Sequence, residues 1–424
     1  MSPASIIILA LIAMTPLLAI APGLETKPFI ALVATIALLL AVTAAPAPEL
    51  QRTRKALTHG GWLLLLPAVW MIVQLIPLPL SMSNPLWAGV ATALPDHGSY
   101  GHVTVSLPDT LRSLGTYLGW MVLVAACAVA FVDRRCAEYG LIAAPIAALT
   151  IAILGFVGRF WPSLSNENST SFPIASALSC VLTVAAVQRA IERRQTHRTS
   201  VTNSWLVSLT LSGAAVLVSL ALAVGSAPSV AWVGAMLGAF TVAMAALMSR
   251  LGLIRIASIV IVLLVALAGG AFLASKADHS SQTTGLMSVA SGETKGSVER
   301  ALRDASLLGS GSGTYGTLAA TLQDFGEPPQ PTPPSLAIEL AVEWGRAAPL
   351  VITVIVLIGV GIFVNAALHR GRDSFYATAA AGCLVGATFQ SFFDIGVLDP
   401  AISLLLAVVV GLGLGQATGR SSAT

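Results

Sequence analysis

The chain has 424 residues, of which 10% are charged and 56% are hydrophobic. Soluble globular domains carry about 25% charged residues, so this composition excludes a soluble globular protein and is typical of an integral membrane protein whose partner is the lipid bilayer. The formal net charge is only +3, and the basic residues fall in short loops, so we expect no nucleic-acid partner. The cysteines lack metal-type spacing, and we predict no metal, no cofactor and no disulfide framework.

Apolar runs close to the length of a membrane span recur along the whole chain. A helix needs about 20 residues to cross the hydrocarbon layer, and lipid offers no partners for an open sheet. The sequence therefore predicts an all-α, polytopic transmembrane bundle of about twelve spans, with residues 1–424 forming a single integral membrane domain. The runs cover residues 5–21, 28–45, 61–79, 114–132, 140–160, 171–187, 205–224, 230–248, 254–274, 347–368, 376–393 and 400–415.

Basic residues mark one side of this predicted bundle. Counting spans alternately places all the basic clusters together, whereas the short loops of the opposite side hold few cations. The positive-inside rule then predicts that both termini are cytoplasmic and that loops 80–113 and 274–335 face the other way. The clustered residues are Arg52, Arg54, Lys55, Arg134, Arg135, Arg189, Arg193, Arg194, Arg198, Arg250, Arg255, Arg370, Arg372 and Arg420.

A carboxylate pair beside an arginine precedes the apolar run at 347–368. Glu339 and Glu343 are four residues apart and Arg346 is three further on, so a continuous helix would place all three on one face. Such a group can activate a hydroxyl and hold an anion. The alternative, which spacing alone favours, is an interfacial helix on which Glu343 and Arg346 form a solvated neighbour pair.

Two arginines lie three residues apart on a helix predicted over 297–308. The planar guanidinium forks of Arg300 and Arg303 suit a diphosphate. The alternative, favoured by the local pattern, is an ordinary amphipathic helix with mixed charges. The following segment Gly311-Ser-Gly-Thr-Tyr-Gly316 matches a dinucleotide motif in letters only, because no strand precedes it. We interpret it as a tight turn after a helix ending near residue 308, with Gly309 as the C-cap.

Several segments, taken in chain order, form a series that covers most of the chain. This series resembles the bacterial O-antigen ligase and O-antigen/exopolysaccharide polymerase family. The segments are Ile76-Pro-Leu-Pro-Leu80, Trp87, Val105-Ser-Leu-Pro-Asp109, Asn166-Glu-Asn168, Glu299-Arg300, Leu308-Gly-Ser-Gly-Ser-Gly-Thr-Tyr315, Pro334-Ser-Leu-Ala-Ile-Glu-Leu-Ala-Val-Glu-Trp-Gly345, Phe393-Asp394 and Pro400.

The resemblance implies a metal-independent glycosyltransferase in the bacterial inner membrane. Members of the family transfer a glycan from an undecaprenyl diphosphate carrier at the periplasmic face, so the implied partners are that lipid-linked saccharide and other polysaccharide-assembly proteins. Arg300 matches a family position and is the implied diphosphate contact. Arg159, Arg303 and Arg346 are further candidate contacts, which we nominate because they lie on the same side of the membrane.

The chain departs from the family at two motifs. Pro334-Ser335 stands where the ligase branch has a His-Asn pair, and residues 225–231 lack the arginine of a Ser-Arg-Gly element. With the histidine absent, Glu339 or Glu343 becomes the candidate catalytic base. The leading hypothesis is a glycosyltransferase of the polymerase/ligase type. The alternative is a catalytically inactive homologue that acts as a structural partner in a polysaccharide assembly or export complex. A carrier is less favoured, because the spans are poor in ionisable groups.

Overall fold

The protein is an all-α helical bundle. The computed structural model describes residues 1–21, 26–93, 100–158, 160, 171–196, 204–225, 230–251, 260–267, 269–270, 295–321, 332–370 and 373–417. In these ranges the only strands are β1 (Leu78–Pro79) and β2 (Tyr100–Gly101), which pair antiparallel. The helices are α1 (Pro3–Ile20), α2 (Thr26–Ala44), α3 (Ala47–Gly60), α4 (Leu65–Leu75), α5 (Pro85–Ala93), α6 (Leu107–Ala130), α7 (Arg134–Gly158), α8 (Ser171–Thr196), α9 (Ser204–Gly225), α10 (Ala231–Leu251), α11 (Lys295–Asp304), α12 (Tyr315–Thr321), α13 (Leu336–Glu343), α14 (Ala348–Arg370), α15 (Phe375–Ser391) and α16 (Pro400–Ala417).

Eight helices in the described ranges are long and apolar enough to cross a membrane, so the protein is a multi-pass membrane protein. They are α1, α2, α6, α7, α8, α10, α14 and α16. A ninth span would combine α3 with the helix over Gly61–Leu75, although these two segments meet at a bend of 62°. Three predicted runs remain. Two of them correspond to α9 and α15, and the third, residues 254–274, lies partly outside the described residues.

The helices differ in how much of their surface the protein buries. α16 is the central helix: 83% of its apolar 18-residue stretch is buried inside the protein. The corresponding share is only 22% in α2 and in α14. α16 contacts α1, α6, α7, α14 and α15. A helix that is apolar on every side is expected either in lipid or in the centre of a bundle, and burial decides between these two for each helix here.

Glycines allow neighbouring helices to approach closely, as is common in membrane bundles. The sequences Gly234-Ala-Met-Leu-Gly238 in α10 and Gly382-Cys-Leu-Val-Gly386 in α15 face each other in antiparallel order. A Cβ added at Gly238 would lie 2.6 Å from the carbonyl oxygen of Gly382, and one added at Gly386 would lie 3.1 Å from that of Gly234. The first contact leaves no room for a side chain at Gly238, and the second is tight enough that the Gly234 carbonyl would have to shift.

The two ends of the bundle carry different polar structures. At one end Glu138 pairs with Arg134, Arg189 and Arg193, and Asp373 lies 3.0 Å from Arg134. At the other end α11, α12, α13 and the glycine-rich loop at residues 305–314 pack together; we call this group the cap. Helix α6 joins the two ends, since Thr110 near its start contacts the cap and Arg134 follows its end. Its 24 residues span about 36 Å, enough to cross the hydrocarbon.

Candidate functional site

The glycine-rich loop of the cap depends on glycines with left-handed backbones. Gly309, Gly311 and Gly313 have φ of +82°, +106° and +80°. A Cβ added at Gly309 would overlap the carbonyl oxygen of Glu343, and one added at Gly311 would overlap Oγ1 of Thr104. Glycine is therefore required both for the backbone conformation and for the space. The predicted tight turn is confirmed, but the preceding helix ends at Asp304, four residues earlier than expected.

The Glu343 side chain is held by the backbone of this loop. Its Oε2 accepts a hydrogen bond from the N–H of Gly313 at 2.7 Å, and its Oε1 accepts one from the N–H of Tyr315 at 2.9 Å. Burial raises the pKa of this carboxyl to about 7, while the N–H groups of Gly313, Tyr315 and Thr314 lower it. These donors favour the charged form, so the ionised form of the Glu343 carboxyl is the one that binds the loop most strongly.

The main-chain carbonyl of Glu343 also connects α13 to the end of α4. The carbonyl oxygen of Glu343 accepts hydrogen bonds from Nε2 of Gln74 at 2.9 Å and from the N–H of Gly311 at 3.0 Å. Oε1 of Gln74 in turn accepts from the N–H of Ser312 at 3.1 Å. Thr110 completes the junction by donating to the carbonyl oxygen of Ser312 at 3.1 Å. The loop is thereby fixed to α4, α6 and α13 together.

Glu339 lies one turn before Glu343 and has different surroundings. Its Oε2 is buried and has no hydrogen-bond partner within the described ranges. The pKa of Glu339 is raised to about 8, mainly by burial and also by the negative charge of Glu343. A buried carboxyl next to an anion retains its proton near neutral pH. Of the two predicted carboxylates, Glu339 is therefore the one with an oxygen available for proton transfer.

The charge of Lys27 affects two carboxyl groups, those of Glu339 and Asp399. The positive charge of Lys27, in the first turn of α2, lowers the pKa of Glu339 and also that of Asp399. Asp399 precedes α16, and burial raises its pKa to about 6. The N–H of Leu336 at the start of α13 donates to the carbonyl oxygen of Asp394 at 3.3 Å. The beginnings of α2, α13 and α16 therefore meet at this end of the bundle.

The structure brings two of the predicted arginines together at the edge of the cap. Nη2 of Arg346 donates to the carbonyl oxygen of Arg303. The Arg303 side chain is 77% exposed and lies 3.9 Å from Glu299 on the same helix. Arg300 lies one turn earlier on α11 and is partly buried. Arg159 lies outside the described residues, as do Asn166, Glu167 and Asn168.

The expectation that Glu339, Glu343 and Arg346 share one helical face is wrong. Helix α13 ends at Glu343, and Gly345 adopts φ of +103°, which breaks the helix before α14 begins at Ala348. A Cβ added at Gly345 would overlap the carbonyl oxygen of Leu307. The solvated pair between Glu343 and Arg346, which was the alternative, is absent as well. Glu343 binds the loop backbone instead, and Arg346 contacts α11.

Three residues of this region were not predicted as site residues: Gln74, Lys27 and Asp399. Gln74 had a signal, because an amide near the end of an apolar run needs a buried partner. Lys27 is one of the few cations on the side opposite the basic clusters, and this position alone indicates no role. Asp399 had no signal, since an aspartate that precedes a helix is usually a plain N-cap, and Asp399 does accept from the N–H of Ala401 at 2.9 Å.

Comparison with known proteins finds no relative of this chain. No protein-family model, no curated protein and no solved structure matches the chain. The resemblance to the O-antigen ligase and polymerase family therefore stays a prediction.

Proposed function

We propose that the protein is a membrane glycosyltransferase of the polysaccharide polymerase/ligase type, which takes a glycan from an undecaprenyl diphosphate-linked donor. The observation that carries this proposal is the buried carboxyl of Glu339, which has an unpartnered oxygen, in a cap whose edge presents Arg303 and Arg346 close together. A carboxyl suits proton transfer, and guanidinium groups suit a diphosphate.

In the proposed reaction, an acceptor sugar hydroxyl attacks C1 of the donor sugar. The bond between C1 and the diphosphate oxygen breaks, and undecaprenyl diphosphate leaves with the electron pair. The hydroxyl proton passes to the ionised form of Glu339, and Arg300, Arg303 and Arg346 stabilise the charge on the departing diphosphate. Because the pKa of Glu339 is raised to about 8, it is a stronger base than an ordinary carboxylate, and the rate should rise with pH as its ionised fraction increases.

The membrane arrangement is part of the same proposal. We place the cap on the periplasmic side of a bacterial inner membrane, with about twelve spans and both termini in the cytoplasm. Two features support this orientation: the arginines around Glu138 lie at the end of α6 opposite the cap, and positive charge favours the cytoplasmic side. A donor carried by a lipid would then reach the cap from the membrane.

The test is glycan transfer by the purified protein in lipid nanodiscs supplied with undecaprenyl diphosphate-linked oligosaccharide. We expect elongation or transfer by the wild type, a large loss with Glu339→Gln, and normal activity with Asp304→Asn, an exposed carboxylate of the same cap. Transfer by Glu339→Gln at the wild-type rate would exclude the proposed base. Absence of any transfer with active donor and acceptor would exclude the enzyme.

The second candidate is an inactive homologue that organises a polysaccharide assembly or export complex. One observation favours it: Glu343, one of the two predicted catalytic carboxylates, is committed to the loop backbone. Under this hypothesis Glu339→Gln leaves surface polysaccharide unchanged in cells, whereas loss of the whole chain shortens or abolishes it. Measuring polymer length in the two strains separates the candidates.

A further inference from the structure

Helix α5 is an uncharged helix of nine residues outside the candidate spans. Its sequence is Pro-Leu-Trp-Ala-Gly-Val-Ala-Thr-Ala, and none of its residues is buried. At 1.5 Å per residue it is about 14 Å long, too short to cross a bilayer. A soluble protein rarely leaves such a helix exposed to water, since apolar surface is unfavourable there.

The position of α5 relative to the bundle is fixed at the end of α4. The indole N–H of Trp87 donates to the carbonyl oxygen of Thr104 at 2.9 Å, and its ring packs edge-on against His102. Nδ1 of His102 lies 3.0 Å from the carbonyl oxygen of Leu75, the last residue of α4. α5 is therefore held at the level where the apolar helix α4 ends.

The nine residues of α5 divide into three faces at helical spacing. Trp87 and Ala91 are half-buried against the protein. Leu86 and Val90, four residues apart, form a second face and are 54% and 39% exposed. Thr92 lies on a third, also exposed face. The side chains exposed on the second face are apolar, and the third face carries the hydroxyl.

The apolar face of α5 continues the exposed apolar surface of α4. Val69, Ile72 and Ile76 of that segment are 54%, 50% and 45% exposed, as expected for side chains that face lipid. Met82, in the turn between the two helices, is 64% exposed. The chain therefore carries no charged residue from α4 through the turn to the end of α5.

We propose that α5 is an interfacial membrane anchor, with Leu86 and Val90 inserted among lipid acyl chains and Thr92 facing water. Trp87 at the same level fits the preference of tryptophan for the membrane interface. The anchor fixes the height of the cap above the bilayer, because Thr104, which accepts from Trp87, also bonds with Thr110 at 2.7 Å beneath the glycine-rich loop. This inference does not depend on the proposed enzymatic activity.

The experiment uses the full-length protein in lipid nanodiscs with an environment-sensitive fluorophore on a single introduced cysteine. Leu86→Cys and Val90→Cys test the apolar face, and Thr92→Cys is the matched control on the same helix. The four native cysteines are buried, and unsubstituted protein measures any background labelling. All three positions are exposed, so the variants are expected to fold, and gel filtration with circular dichroism verifies this.

The expected result is emission shifted to shorter wavelengths at positions 86 and 90, with loss of intensity when the lipids carry a quencher. The probe at position 92 should be quenched by aqueous iodide instead. Equal iodide quenching at all three positions overturns the proposal. Protection at 86 and 90 from both quenchers also overturns it, since that result means that another protein surface covers the face.

Discussion

Nε2 of Gln74 donates a 2.9 Å hydrogen bond to the carbonyl oxygen of Glu343, although 269 positions separate the two residues. The bond joins the end of α4 to the end of α13, where the glycine-rich loop is also anchored. Oε1 of the same amide accepts from the Ser312 backbone. One buried side chain thus bonds with two main-chain groups of the cap.

Gln74→Leu should destabilise the cap. The substitution leaves the Ser312 N–H without its acceptor, and a buried unsatisfied group costs about 1–3 kcal/mol. It also removes one of the two donors to the Glu343 carbonyl, which keeps the Gly311 N–H. Limited proteolysis should cut the cap faster than in the wild type, and the thermal midpoint should fall. Thr116→Val, which removes an exposed hydroxyl from the neighbouring α6, should change neither measurement; equal effects of the two variants contradict the junction.

Gly311→Ala should disrupt the glycine-rich loop. The backbone at this position has φ of +106°, and the added methyl would overlap Thr104. Left-handed strain costs about 1–2 kcal/mol for alanine before any overlap is counted. Unfolding followed by tryptophan fluorescence should give a clearly lower midpoint. Gly89→Ala is the control, because a Cβ added at Gly89 would meet nothing within 4 Å and its helical backbone accepts alanine.

Gly238→Val should separate α10 from α15. A Cβ at this position would lie 2.6 Å from the Gly382 carbonyl oxygen and 2.5 Å from the Val181 side chain, and overpacking of this kind typically costs about 1–3 kcal/mol. Detergent resistance and the thermal midpoint should both fall. Gly213→Val, at an open position on α9, should be nearly neutral, and a similar loss there would mean that helix propensity and not packing is responsible.

Glu339→Gln should stabilise the protein at neutral and alkaline pH. The native carboxyl keeps its proton up to about pH 8, whereas the unfolded chain releases it near its ordinary pKa of 4.5. Between these values the folded state binds more protons, so its stability falls as pH rises, and the fall stops above about pH 8. The thermal midpoint of Glu339→Gln should exceed that of the wild type by a margin that grows across this window.

The control for this prediction is Asp304→Asn in the same cap. Because Asp304 is exposed, its midpoint should follow the wild-type profile at every pH. A constant difference between Glu339→Gln and the wild type from pH 5 to pH 8 would contradict a raised pKa of Glu339.

Lys27→Met should move the titration of Glu339 to higher pH. The ammonium group of Lys27 lowers the pKa of Glu339 and of Asp399. Without it, the pKa of Glu339 should rise, because burial and the negative charge of Glu343 both raise it. If Glu339 is the base of the proposed transfer reaction, the alkaline rise of the rate should shift upward in pH while the plateau rate remains. An unshifted pH–rate profile would place Lys27 outside the influence of the reacting carboxyl.

The sequence by itself determined the class of the protein and much of its outline. Apolar runs near 20 residues leave few architectures other than membrane helices, because lipid cannot satisfy an exposed backbone. The turn at Gly311 was predicted from the glycine pattern, and Gln74 carries a signal of its own as an isolated amide near the end of an apolar run. Neither signal identified its partner.

Only the tertiary structure decided the separate roles of Glu339 and Glu343. Their spacing suggested a matched pair on one helical face, but a pKa and a hydrogen-bond set depend on burial and on partners that are distant in sequence. The loop at 305–314 supplies the N–H donors to Glu343, and Gly345 turns Arg346 away from α13 to α11. Such contacts form when segments far apart in the chain pack together, and local residue patterns do not encode which segments meet.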